Sequence, residues 1–144
     1  MSSTGKPSKS KAAVVAKSAP IAAPDHQSQL DFELDFFETI LARNPDFVDV
    51  LRVHGNNLTL KGRYGDGLKI DRRIVDLRPH DAQAHYNLAC SYALLKKKDL
   101  ALRMLRRAIE LGYCDFNYMR EDQDLEAIKD DPRFVQLLAD FEAR

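Results

Sequence analysis

The feature that most restricts the fold of this 144-residue chain is a self-match at a period of 34 residues. Pro45 and Pro79 stand one period apart, Ile40, Ile74 and Ala108 fall in step, and so do Leu41, Val75 and Ile109. Gly55 matches Ala89, and Leu58 matches Tyr92. A fixed period of this length means one supersecondary unit used repeatedly, and such a unit cannot bury its apolar face alone. The chain must therefore stack its units.

Hydropathy spacing says what the unit is made of. Leu30, Leu34, Phe37 and Leu41 recur at helical spacing, and Asn44-Pro45 ends the segment because a residue before proline is pushed out of the helical region. Further helical patterns run over about 47–60, 67–77 and 84–95, separated by "KGRYGD", Pro79 and the lysines 96–98. Another follows Asp99, a candidate N-cap, with Ala101, Leu105, Ala108 and Leu111 on one side. No segment alternates as a strand would, so the sequence predicts an all-α chain with short connections.

The period and its residues resemble the tetratricopeptide repeat, a helix–turn–helix unit of 34 residues. His85, Leu88, Ala89 and Tyr92 stand on the W-x2-L-G-x2-Y part of that pattern, and Ala101 and Leu105 on its A-x3-F part. One period earlier, Leu51, Gly55, Leu58, Gly67 and the closing Pro79 occupy the corresponding places. The resemblance covers about residues 30–113 and implies a short right-handed α-α superhelix. Its expected parts are an N-terminal half-repeat at 30–45 and repeats at 46–79 and 80–113. Residues 114–144 resemble the terminal cap of some bacterial arrays, with a short helix near 125–129 and a last helix opened by Asp131 as N-cap and Pro132. Phe134, Leu137, Leu138 and Phe141 would form its apolar face.

Residues 1–29 hold Lys6, Lys9, Lys11 and Lys17 against Asp25, three prolines and no aromatic residue. Such a stretch buries too little apolar surface to offset ordering, so the sequence predicts a disordered basic tail. Basic and acidic residues balance at 22 each, which gives no global attraction to nucleic acid or a membrane. The longest apolar run of the tail, "AAVVA", is too short for a secretory signal, and no run approaches a membrane span. Cys90 and Cys114 form no C-x-x-C motif. Reduced thiols and a cytoplasmic location are the expectation.

"AHYNLACSYALL" (84–95) invites a Cys/His nucleophile, but His85 and Cys90 are five residues apart, about 140° around a helix, and cannot meet. His54, Asp71 and His85 replace large apolar residues of the repeat pattern and could gather into a polar cluster of the kind that binds a metal. Neither a metal nor a cofactor is expected, and the chain is not expected to be an enzyme. The lysines at 96–98 with Arg103, Arg106 and Arg107 form a basic patch without interleaved aromatics, read as a solvated face.

The resemblance further implies a concave groove lined by the first helix of each repeat. Asp49, Arg52 and Asn56 would face it from one helix, and Tyr86, Asn87, Cys90 and Leu94 from the next. Arg52, Asn56 and Asn87 fall where chaperone-binding members clamp a peptide's terminal carboxylate. The basic residues that complete that clamp are replaced here by Asn117 and Glu121, which implies a looser peptide groove. The expected partner is another protein or peptide, with a structural subunit or homo-oligomer as the alternative and a metal- or thiol-dependent enzyme as a remote one.

Overall fold

The computed structural model describes residues 26–144, with side chains from Ser28 onward. Most of the expected tail lies outside the described residues. Its predicted boundary at Leu30 is corrected in one respect, because the first helix already begins at His26. The described chain is all-α: α1 (His26–Arg43), α2 (Val48–Leu60), α3 (Tyr64–Leu77), α4 (Ala82–Leu94), α5 (Lys98–Glu110), α6 (Phe116–Glu121), a 3-10 segment (Gln123–Ile128) and α7 (Pro132–Glu142). The starts of α2 and α4 lie 34 residues apart, and so do those of α3 and α5. Through α5, each helix packs on its neighbours in sequence.

Helix ends follow local chemistry. Asp131 caps α7 through the Arg133 amide at 2.9 Å, with Pro132 in the first turn. Asp81 caps α4 through the Ala84 amide at 3.1 Å. Asp99 is not a cap: α5 starts one residue earlier, after Lys97, and Asp99 lies in its first turn, where a carboxylate favours the helix dipole. α3 begins at Tyr64, earlier than 67, because Gly65 and Gly67 are absorbed into the helix. α6, absent from the sequence expectation, is too short to leave a periodic signal.

The C-terminal ends of α2 and α4 share one turn. Gly62 (φ 85°) ends α2, with its amide on the Thr59 carbonyl and the Arg63 amide on the Leu58 carbonyl. One period later Lys96 (φ 62°) holds the same place, with its amide on the Ala93 carbonyl and the Lys97 amide on the Tyr92 carbonyl. A side chain in the left-handed region crowds the backbone where glycine does not.

The main core lies between α4, α5 and the C-terminal segments. Ala89, Ala93, Ala101 and Ala108 bring α4 and α5 close, and Leu105, Met119, Leu125, Ile128, Phe134, Leu137 and Leu138 fill the space beside them. α2 and α3 approach through Gly55 and Gly67. A Cβ on Gly55 would sit 3.1 Å from Ile70 Cγ2, and one on Gly67 3.3 Å from Thr59 Oγ1.

Three seams also carry a buried carboxylate. Between α1 and α2, Asn57 donates to Glu33 at 3.1 Å. Between α3 and α4, Ser91 donates to Asp71 at 2.5 Å. Between α4 and the 3-10 segment, Tyr86 donates to Asp122 at 2.6 Å. Hydrogen bonds to a charged acceptor offset much of the desolvation that burying it demands.

The Lys96 turn gives a direct expectation. Lys96→Gly relieves the left-handed side chain and stabilises the fold by about 1 kcal/mol, read as a rise in the urea midpoint. An unchanged or lower midpoint would contradict this account of the turn.

Candidate interaction face

Asp49, Arg52 and Asn56 are spaced three and four residues apart on α2, which puts them in one stripe. Asp49 is exposed, and Arg52 and Asn56 are half-buried. The Arg52 guanidinium reaches across to α4 and meets the Asp81 carboxylate at 2.5 Å, both side chains about three-tenths exposed. Burial pushes the Asp81 carboxyl up, but the Ala84 amide and the Arg52 guanidinium outweigh it and hold the group below the usual carboxylate range. Asp81 thus starts α4, docks α2 and, through its carbonyl 3.0 Å from His85 Nδ1, orients that ring.

From α4, Asn87 is half-buried and accepts from Gln83 at 3.1 Å, while Leu94 is half-buried at the helix end. Tyr86 and Cys90, expected in the groove, are corrected: neither has any exposed surface. The reason is the C-terminal segment. Asp122 caps the 3-10 segment through the Asp124 amide at 3.0 Å, and its other oxygen receives the Tyr86 hydroxyl, with the Cys90 sulfur 3.9 Å away. The Tyr86 ring stacks on Tyr113 at 4.2 Å between centroids, nearly parallel. Burial above all, with the Cys90 thiol nearby, pushes both phenols far above the ordinary tyrosine value. α4 is therefore covered on the side that carries Tyr86 and Cys90, while Asn87 and Leu94 keep part of their surface. Asn117 and Glu121 are exposed on α6.

His54, Asp71 and His85 are all buried, but their bonds diverge. Asp71 holds Ser91, His85 turns Nδ1 to the Asp81 carbonyl, and His54 points Nε2 towards Glu38 at 3.8 Å. Among the described residues no set of three such side chains is arranged to hold a metal ion. His54 Nδ1 has no hydrogen-bond partner among them. Burial lowers the His54 pKa, with Arg63 acting the same way and Glu38 opposing.

Sequence reasoning missed Asp81 as the partner of Arg52 and Asp122 as the partner of Tyr86. Asp81 could have been found as an N-cap signal before an Ala-rich helix. Asp122 sits in an acidic run that gives no hint of burial.

No protein-family profile matches the chain. It is similar to a protein of Arabidopsis thaliana described as chloroplastic, at 31% identity over 91 residues, which cover 61% of this chain. The match spans 27% of that protein's length. No described helix is long and apolar enough to cross a membrane.

Two outcomes follow from this geometry. Asp122→Ala strands the Tyr86 hydroxyl and removes the cap of the 3-10 segment, so it lowers unfolding free energy by about 2–4 kcal/mol, measured by urea titration. Asp122→Asn, which keeps an acceptor, loses less. For His54, the native state resists a proton that the unfolded chain accepts near the ordinary histidine value of 6.5. Stability is therefore full above that value and falls as pH drops below it. His54→Leu removes this part of the acid slope, checked by urea midpoints between pH 7 and 5.

Proposed function

We propose that the chain is a short tetratricopeptide-like helical array that works as a non-catalytic protein-interaction module. It receives a peptide or helical segment on the side where Asp49, Arg52 and Asn56 of α2 meet Asn87 of α4. The 34-residue recurrence of helix starts supports the repeat reading. The observation that carries the binding reading is the Arg52–Asp81 pair, a partly exposed guanidinium already bonded to a carboxylate. An incoming carboxylate can replace Asp81 with the same charge-assisted geometry, while the Asn56 and Asn87 amides donate beside it. Tyr86, Cys90 and a metal have no part in this reading. The cytoplasmic setting remains part of the proposal and draws on Cys90 and Cys114, both free thiols.

A second reading has its own observation. Phe32 and Phe36 on α1 are 63% and 49% exposed, with rings stacked 6.0 Å apart. Exposed aromatics side by side on one helix suit a permanent interface, as in a structural subunit or homo-oligomer.

One experiment separates the two. Full-length tagged protein is used to capture partners from its native lysate, alongside Arg52→Glu/Asn87→Ala and Phe32→Ser/Phe36→Ser, each checked for retained helicity. The groove reading expects the first variant to lose partners that the second keeps. Survival of every partner with Arg52→Glu/Asn87→Ala rejects it, and loss confined to the phenylalanine variant favours the second reading.

A further inference from the structure

Both hairpins hold paired and unpaired cations: in the first, Lys69 and Arg72 are exposed with no ion pair among the described residues, and in the second, Arg107 meets Glu110. Arg52, Arg63 and Arg73 each meet a carboxylate, at Asp81, Asp66 and Asp46. Lys96 and Lys97 in the α4–α5 turn, and Lys98, Arg103 and Arg106 on α5, have no carboxylate at ion-pair distance among the described residues. They line two adjoining hollows. One, of about 490 Å3, is bounded by the three lysines, Asp99, Leu100 and Arg133. The other, of about 430 Å3, is bounded by Asp99, Leu102, Arg103, Arg106, Arg133 and Leu137. Asp99 and Arg133 belong to both, so the hollows make one trough along α5 beside the start of α7. The carboxylate in the wall, Asp99, is held by Arg133 at 2.7 Å. Leu100 and the narrow exposed edges of Leu102 and Leu137 supply the apolar part of its lining.

We propose that this trough binds a short acidic segment of a partner protein, its carboxylates on Lys96, Lys97, Lys98 and Arg103 and one apolar side chain beside Leu100. Two observations favour this ligand over a nucleic acid strand, and a third sets its length. Neither hollow is lined by an aromatic ring on which a base could stack. Part of the lining is apolar, which suits a side chain better than a sugar-phosphate backbone. The row from Lys98 to Arg106 is about 12 Å long, the span of about four extended residues. Lys96 adds a fourth point. It keeps a side chain in the left-handed turn where the first hairpin has Gly62, at a cost to stability, and that side chain adds a charge to the trough.

The test uses the full chain and a fluorescein-labelled eight-residue peptide of alternating glutamate and leucine, acetylated and amidated so that it has no terminal carboxylate for Arg52. Anisotropy should show saturable binding that weakens about tenfold in Lys97→Glu/Lys98→Glu and with a rise from low to physiological salt. Lys96→Gly should bind about threefold more weakly while being the more stable protein, a combination that a purely structural lysine would not give. Arg52→Glu/Asn87→Ala should bind as the unaltered chain does, which separates this site from the α2–α4 face. Methyl NMR of the unaltered chain should move Leu100, Leu102 and Leu137. Equal binding of a lysine–leucine peptide, no effect of the charge reversal, or methyl shifts confined to other helices would overturn the proposal. Tighter binding of a labelled oligothymidine would overturn it in favour of nucleic acid.

Discussion

The hydrogen bond from Tyr86 to Asp122 decides how the C-terminal half of the chain is arranged. It costs the burial of a carboxylate, which is tolerable because both oxygens are used, one by the Tyr86 hydroxyl and one by the Asp124 amide. In return the 3-10 segment is seated against α4, and Leu125 and Ile128 enter the core with it. α4 then has neighbours on nearly every side, which is why eight of its residues are buried and why the helix has almost no amphipathic signal. The C-terminal segment thus sets an acidic side chain of the same molecule against α4.

That arrangement divides the remaining surface. The α1 end is aromatic, the α2–α4 side is polar around Arg52, and the outer side of α5 is cationic. The chain's overall charge is zero, so these local differences, not a global field, govern what meets each side. Separation of surfaces by helix is a natural property of stacked hairpins, because each helix exposes only the stripe that its neighbours leave uncovered.

Much of the fold is legible in the sequence. The helices from α2 to α5 follow from spacing, prolines and glycines, and α7 from Asp131 and Pro132. Their apolar residues take the buried positions that helical period assigns. The site is less legible, for a definite reason. Tyr86 and Cys90 have the right spacing for an open face, and contacts from Tyr113 and Asp122, distant in sequence, bury them. Spacing within a helix says which residues share a side; it does not say what comes to rest on that side. Asp71 and the two histidines illustrate the same limit, since a polar residue at an apolar position announces a partner without naming it, and the partner of Asp71 proves to be Ser91.

The three buried carboxylates act as keys between successive layers. Glu33 fits Asn57, Asp71 fits Ser91, and Asp122 fits Tyr86, so each seam has its own donor, acceptor and geometry. Hairpins of one length and one backbone period are, to that extent, not interchangeable. A duplicated or transposed hairpin would place a carboxylate opposite a side chain that cannot serve it. The order and number of layers are thus written into the polar contacts, while the apolar contacts, being far less particular, hold whatever order those contacts allow.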